Sequence, residues 1–141
     1  MTIHEMTAVD LLAAYKAKKL SPVEVVDAVV RRIEAWEPKL KALYAPRLKA
    51  CLDAIERHMP DAKVTRPEGG FFISLTLPEG TSTTDVRSAA AKRNLNLADG
   101  LAFFPNGGGE RFIRLPFCAL SPEQIQEGVR RLAEAVKEVR R

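Results

Sequence analysis

The residues of this sequence that could do chemistry are few and scattered. The acidic residues that could act as paired carboxylates are Glu5, Asp10, Glu24 and Asp27. Their positions at helix starts and on polar helix faces favour capping and solvation, so no general acid–base constellation is predicted. The glycine run Gly107–Gly109 could cradle a phosphate, but no Lys-Ser/Thr pair follows it at a helix start. The run therefore predicts a flexible connection between strands.

Metal binding and thiol chemistry are not indicated either. Cys51 and Cys118 are far apart in apolar settings, which favours buried thiols over a disulfide or a metal site. His4 and His58 are isolated and lack the spacing of metal ligands, so surface positions are predicted for them. Phenylalanine rings could stack on a ligand, yet their strand-like positions assign most of them to the core. These rings are Phe71, Phe72, Phe103, Phe104, Phe112 and Phe117.

Length and composition predict one soluble domain with a buried core. The chain has 141 residues, of which 46% are hydrophobic, and a domain of this size hides about two thirds of its unfolded surface. The net charge of +4 is spread along helices, with no basic block among exposed aromatics, so no nucleic-acid partner is expected. No run approaches the roughly 18 apolar residues of a membrane helix. Met1–Glu5 lacks a signal-peptide pattern, so a cytoplasmic protein without a membrane partner is predicted.

Two helices are predicted in the N-terminal part. Thr7–Asp10 resembles a capping box and begins a short helix that runs to about Lys18. Ser21–Glu24 combines a capping serine, a proline at the first helical position and an acid at the third, and begins a second helix. That helix is predicted to end at Glu37–Pro38, because proline disfavours a helical residue before it. Its apolar stripe consists of Val25, Val26, Val29, Val30 and Ile33. The pair predicts a helical hairpin with a buried face.

Strand signals are concentrated in Val64–Phe117, which predicts strand, helix, strand, strand. The predicted strands are Val64–Leu77, Leu95–Phe104 and Glu110–Phe117. A helix over Ala45–His58 precedes them, and Ser121–Gln124 begins a last helix with an apolar stripe. The predicted fold class is α+β: a two-layer fold with a small sheet of about three strands packed against helices, preceded by an N-terminal helical hairpin. Residues 1–141 are predicted to form a single compact domain, built from residues 1–43 and 44–141.

Three motifs in the N-terminal part carry a resemblance to a known family. They are Leu20–Val25, Arg32–Glu34 and Pro38–Leu40, and Leu11 precedes them as a further matching residue. Over roughly the first 43 residues the chain resembles the N-terminal helices of the amidase signature family. Those enzymes use a lysine and two serines set in a Gly/Ser-rich segment, and no serine of this sequence lies in such a segment. The resemblance therefore implies packing only, without the amidase Ser-Ser-Lys triad.

Four segments carry a second resemblance, in order and spacing. They are Arg66–Phe72 (RPEGGFF), Asn96–Phe104 (NLADGLAFF), Arg111–Phe117 (RFIRLPF) and Ser121–Leu132 (SPEQIQEGVRRL). Residues 44–141 resemble the C-terminal small domain of fold-type I, pyridoxal-phosphate-dependent aminotransferases, near the aminoadipate and kynurenine branch. One departure is Asp99, which stands where that family usually has proline. This departure is expected to affect the local conformation of the loop around Asp99.

The resemblance implies a functional role for one residue, Arg114, whose guanidinium would bind the substrate α-carboxylate. The competing interpretation is that Arg114 pairs with a nearby acid or extends into water, and this interpretation is favoured because the rest of the pocket would come from a large domain. That domain supplies the Schiff-base lysine, the aspartate on the pyridine nitrogen and the phosphate-binding helix start. Motifs for these are not found in the sequence, so no catalytic residue, no cofactor and no enzyme activity are predicted, and Arg114 would be vestigial.

The two resemblances meet near Leu43 and Tyr44. They suggest an engineered or recombined chimera, a folded protein of de novo type without autonomous catalysis. The alternatives are a weak carboxylate- or pyridoxal-phosphate-binding module, and a truncated aminotransferase relative that acts as an interaction domain. Self-association as a dimer is expected, with possible exchange of N-terminal helices, because a surface that faced a large domain would remain partly apolar.

Overall fold

A computed structural model describes residues 2–140 as an α+β protein. The α-helices are α1 (Ala8–Lys16), α2 (Pro22–His58), α3 (Thr83–Ala91) and α4 (Pro122–Val139). The strands are β1 (Lys63–Val64), β2 (Phe72–Thr76) and β3 (Phe112–Pro116), and two 3-10 helices span Ile3–Glu5 and Gly100–Phe103. The predicted fold class, a small three-stranded sheet with helices and a helix-rich N-terminal region, is confirmed.

The chain divides between Leu43 and Tyr44 into two compact units, and α2 contributes residues to both. The predicted helix end at Glu37–Pro38 is wrong, because α2 continues through Pro38 and Pro46 to His58. A proline inside a helix costs roughly 3 kcal/mol. Around Pro38 this cost is opposed by strong helix formers and by an ion pair between Lys41 Nζ and Glu37 at 2.9 Å, which spans the proline.

The helix starts of the N-terminal unit are as predicted. The Thr7 hydroxyl accepts a hydrogen bond from the Asp10 amide, and the Ser21 hydroxyl accepts one from the Glu24 amide at 3.2 Å. The predicted buried face is wrong, however, because no residue between 2 and 43 is buried. The apolar stripe of α2 in this unit is exposed instead.

The sheet of the second unit has the order β1-β2-β3, and both pairs are antiparallel. Ile73 pairs with Leu115 and Leu75 with Ile113, and three of these four side chains are fully buried. Because side chains alternate along a strand, Arg114 lies on the opposite face and pairs with Ser74. The core that covers the buried face comes from the end of α2 and from α3 and α4.

The predicted strand Leu95–Phe104 is absent. This segment is irregular and contains the 3-10 helix Gly100–Phe103, in which the Leu101 amide donates to the Asp99 carboxylate. The alternation of apolar residues indicated a strand, but this segment forms no ladder with β1, β2 or β3. The apolar residues Leu95 and Leu97 pack against the core from a loop.

Candidate functional site

An open cavity of about 300 Å³ lies in the second unit, lined by residues of β2, β3, α2, α4 and the segment 95–98. Most of the lining is apolar. Its polar side chains are Arg114, Asn96 and Gln124, and the Gln124 amide oxygen already accepts a hydrogen bond from the Ser121 amide. Arg114 is therefore the one charged group among the described residues that line the cavity.

The Arg114 guanidinium lies over two aromatic rings. Its central carbon lies 3.6 Å from the centroid of Phe72 and 5.2 Å from that of Phe103. Phe72 is two residues from Ser74, the cross-strand partner of Arg114, so the antiparallel register sets this contact. Stacking on rings fixes the plane of the guanidinium and leaves its N–H edges available for a ligand.

Arg114 has no hydrogen-bond or ion-pair partner among residues 2–140. The interpretation that it pairs with a nearby acid therefore finds no support within the described chain. The side chain is half-buried, and no carboxylate is among the residues that line the cavity. An arginine carries five N–H donors in a planar fork that matches the two oxygens of a carboxylate. The arrangement can thus bind a planar anion.

Three polar contacts fix the loop that carries Phe103: an ion pair, a helix cap and a hydrogen bond to a carbonyl oxygen. Asp99 Oδ2 lies 3.2 Å from Arg87 Nη1, and Asp99 Oδ1 accepts a hydrogen bond from the Leu101 amide at 3.1 Å. Arg87 Nε also donates to the carbonyl oxygen of Leu97 at 3.3 Å. Aspartate at this position therefore has a defined role in positioning the loop. Phe103 itself packs edge-to-face on Phe112, with ring centroids 5.7 Å apart.

The other chemical candidates have structural roles. Hydrogen bonds from the backbone and side chain of Thr2 lower the pKa of Glu5, and the same kind of contact with Thr7 and Ser21 lowers the pKa of Asp10 and Glu24. These three acids are caps, as predicted. The Gly107–Gly109 run is a loop before β3 in which each φ is positive, at 87°, 102° and 82°.

The two cysteines are free, as predicted, but only one of them is buried. Burial raises the pKa of the Cys51 thiol to about 11, so this thiol is unreactive near neutral pH. Cys118 is half-buried. Within residues 2–140, no cluster of His, Cys, Asp and Glu side chains could hold a metal ion, and no helix has the length and apolar character needed to cross a bilayer.

Comparison with curated proteins identifies aminotransferases as relatives. The chain is 42% identical over 102 residues to aromatic-amino-acid aminotransferase 1 of Thermococcus litoralis, covering 72% of this chain and 24% of that protein. It is 39% identical over 100 residues to 2-aminoadipate transaminase of Thermus thermophilus, covering 70% of this chain and 25% of the relative. The chain thus spans about a quarter of the length of these relatives. No family model matches the sequence.

Solved structures give the same result. The kynurenine aminotransferase of Pyrococcus horikoshii superposes with a TM-score of 0.72 at 35% identity, covering 82% of this chain and 29% of that chain. The α-aminoadipate aminotransferase LysN of Thermus thermophilus, solved with N-(5'-phosphopyridoxyl)-L-leucine, superposes with a TM-score of 0.68 at 32% identity. This match covers 91% of the chain and 34% of the enzyme.

These matches correct the functional prediction. A chimera of de novo type without catalysis is the wrong interpretation, because the sequence and structural relatives are natural amino-acid aminotransferases at up to 42% identity. The relatives are enzymes, so the predicted absence of enzyme activity is not established. The likeness of residues 1–43 to amidases is not supported by these matches and stays a prediction.

The cavity by itself does not fit pyridoxal phosphate. None of its lining residues is a lysine that could form a Schiff base, and none is a carboxylate that could face the pyridine nitrogen. What the described residues offer is a single cationic fork in an apolar setting. Together with the matches above, the strand that carries Arg114 and the helices around it show that the chain resembles the C-terminal part of fold-type I, pyridoxal-phosphate-dependent aminotransferases of the aminoadipate and kynurenine type.

Proposed function

We propose that the Arg114 cavity binds the α-carboxylate of an amino acid or 2-oxo acid, as the substrate-carboxylate part of an aminotransferase site. The observation that carries this proposal is a half-buried guanidinium, stacked on Phe72 and Phe103, without an acidic partner among residues 2–140. Buried cations are ordinarily paired. A guanidinium kept unpaired at a cavity is suited to an anion from outside the chain.

The geometry favours a carboxylate over a monatomic anion. The fork of Arg114 offers parallel N–H donors that a carboxylate accepts in a bidentate manner. Hydrogen bonds to charged groups contribute roughly 1.5–3 kcal/mol each, and the two neighbouring apolar rings reduce competition from water. A ligand with a carboxylate would therefore bind in one orientation.

The apolar lining favours ligands whose remaining atoms are apolar. Leu97, Leu120 and Ile125 line the cavity together with the two phenylalanine rings. The relative from Thermococcus litoralis is named an aromatic-amino-acid aminotransferase, which supports the same ligand class. We therefore propose aromatic or large aliphatic carboxylates as the preferred ligands.

The test compares 3-phenylpropionate with its uncharged amide, using the full chain and chemical-shift titration. We expect the carboxylate to bind at least tenfold more tightly than the amide, a difference of about 1.4 kcal/mol. Arg114→Gln should remove this preference. Arg57→Gln is the matched control, since Arg57 is exposed on α2 and does not line the cavity. Equal affinity for acid and amide, or a preference that survives Arg114→Gln, would refute the proposal.

A second candidate function is docking of the cavity rim against another protein surface. Phe72, Phe103 and Leu120 line the cavity and are each at least 40% exposed. Large exposed apolar side chains that surround a polar group are typical of interaction sites. This role would suit an interaction domain. Phe103→Asp should then abolish co-elution with a large-domain fragment of the Thermus thermophilus transaminase, whereas unchanged co-elution would exclude this face.

A further inference from the structure

Helix α4 contains one glycine, Gly128, and this residue lines the Arg114 cavity. It lies well inside the 18 residues of the helix, away from either end. Glycine is the least favourable helix residue apart from proline, because it loses the most conformational freedom on folding. A glycine at this position therefore needs a reason of its own.

The two ordinary structural reasons for a glycine do not apply to Gly128. The glycines with positive φ in the described chain are Gly70, Gly80 and Gly107–Gly109, so Gly128 has a helical conformation that other residues adopt freely. A Cβ added to Gly128 would meet no atom of another element within 4 Å. No part of residues 2–140 thus requires a missing side chain here, and what the glycine preserves is empty space.

This space belongs to the cavity. The cavity-lining residues of α4 are Gln124, Ile125, Gly128, Val129 and Leu132. Residues three and four apart lie on the same face of a helix, so Gly128 stands between Ile125 and Leu132 on one face. It is the only one of the five without a side chain. A larger residue at position 128 would therefore occupy part of the cavity of about 300 Å³.

We propose that Gly128 determines the size of the ligand, by leaving room for the apolar end of a carboxylate that binds Arg114. This inference rests on the proposed function for its anchoring group. Strand β3 is at one edge of the sheet, and Arg114 lies on the face opposite to the one that α4 helps to cover. A cavity lined by both elements extends around this edge, so the distal atoms of the ligand contact Gly128. The ligand class is a carboxylate with an aryl or alkyl group beyond its α-carbon.

The backbone of another polypeptide, packed closely on α4, is the competing explanation for a glycine. The surroundings of Gly128 favour a small apolar group instead. Ile125, Val129 and Leu132 are each at most 5% exposed, and Gly128 itself is half-buried. The space is therefore recessed among buried side chains, where an aryl or alkyl group fits more readily than a chain segment with its polar amides.

The test measures the affinity of the full chain for 3-phenylpropionate and for propionate by chemical-shift titration. Gly128→Leu should weaken 3-phenylpropionate at least tenfold and change propionate less than twofold, because only the longer ligand needs the space. Gly128→Ala should weaken 3-phenylpropionate by about fourfold, the effect of one methylene group. Gln126→Leu is the matched control, since Gln126 is exposed on α4 and does not line the cavity. It should leave both affinities unchanged.

Thermal unfolding separates a loss of space from a loss of folding. Alanine is the better helix former, so Gly128→Ala should raise the melting temperature by roughly 2–8 °C while it weakens the longer ligand. Weaker binding in a more stable protein would support the role of Gly128. Equal weakening of propionate and 3-phenylpropionate by Gly128→Leu, or no weakening of either, would overturn it.

The uncharged amide of 3-phenylpropionate distinguishes this inference from the proposed function. If the parent protein prefers the acid to the amide and Gly128→Leu does not change the preference for the longer acid, only the inference about Gly128 fails. If the parent binds acid and amide equally and Gly128→Leu weakens both, the role of Arg114 fails and the space at Gly128 is still the site of the apolar group. Absence of binding by all three probes would overturn both.

Discussion

Gly100 lies where the loop that carries Phe103 meets β3. A Cβ added there would lie 2.0 Å from the carbonyl oxygen of Phe112 and 3.1 Å from the methyl carbon of Thr83. The Thr83 hydroxyl, which is fully buried, donates to the same Phe112 carbonyl at 3.0 Å. The loop that carries Phe103 is thus pressed against β3 at a point where no side chain fits.

Gly100→Ala should therefore destabilise the protein and weaken the site. Overpacking at a rigid backbone contact typically costs about 1–3 kcal/mol, and a shift of the loop away from β3 would displace Phe103, which contacts Arg114. Chemical denaturation and the 3-phenylpropionate titration should both detect the change. Gly69→Ala is the control, because an added Cβ there meets nothing within 4 Å. It should change stability by less than about 0.5 kcal/mol. Equal effects of both substitutions would contradict this account.

At the scale of elements, α4 is stabilised by charge pairs on its exposed face. Glu127 Oε1 accepts hydrogen bonds from Arg130 Nη2 and Arg131 Nε, each at 2.8 Å. These side-chain hydrogen bonds, from Arg130 first and then Arg131, lower the pKa of Glu127 to about 2. A second carboxylate, Glu134, also pairs with Arg130. The helix start is fixed separately, by the capping box between Ser121 and Gln124.

The depressed pKa of Glu127 predicts a pH dependence of stability. The ordinary pKa of this carboxyl is 4.5, so the pairing stabilises the folded state above that value and is lost as pH falls towards 2. The effect is small and weakened by salt, because the group is exposed. In urea titrations between pH 5 and pH 2, Glu127→Gln should lose less stability than the parent protein. Glu79→Gln, on the turn after β2, is the control and should follow the parent curve. If Glu127→Gln loses as much stability as the parent protein, Glu127 is not a source of this pH dependence.

At the scale of the whole molecule, burial is distributed unequally along one helix. Residues 50, 51, 54 and 55 of α2 belong to the core with the sheet and α4, whereas no residue between 2 and 43 is buried. The stability of the fold should therefore come mainly from residues 44–140. Residues 2–43 contribute an exposed helix surface.

Two isoleucines of α2 provide a matched test of this distribution. Ile55 is 1% exposed and Ile33 is 57% exposed. Ile55→Ala should lower the free energy of unfolding by about 2–5 kcal/mol, because it leaves a cavity in the core. Ile33→Ala should change it by less than about 0.5 kcal/mol when measured at concentrations where the chain is monomeric. Similar losses at both positions would mean that residues 2–43 bury more surface than the exposures indicate.

Local chemistry in the sequence was sufficient to predict the helix starts at Thr7, Ser21 and Ser121, and the pattern of elements predicted the fold class, whereas the role of Arg114, implied by the family resemblance, stays a prediction. The capping boxes at Thr7, Ser21 and Ser121 depend on residues only three positions apart, so their geometry needs no tertiary partner. The resemblance to aminotransferases likewise rested on short motifs in order, and sequence and structural comparisons confirmed it. The exposure of the apolar face of α2 within residues 2–43 was not predicted. An amphipathic pattern indicates which face of a helix is apolar, but it does not indicate which residues cover that face.

Only the tertiary structure decided the features that depend on distant residues. Leu95–Phe104 alternates like a strand, but it joins no ladder of the three-stranded sheet and contains the 3-10 helix Gly100–Phe103. The stacking of Arg114 on Phe72 and Phe103 joins residues far apart in sequence through strand register and the close approach at Gly100. Patterns of neighbouring residues fix hydrogen bonds within a few positions. Which side chains meet across a sheet depends on register and on the competition for its edges, and these are settled by packing of the whole chain.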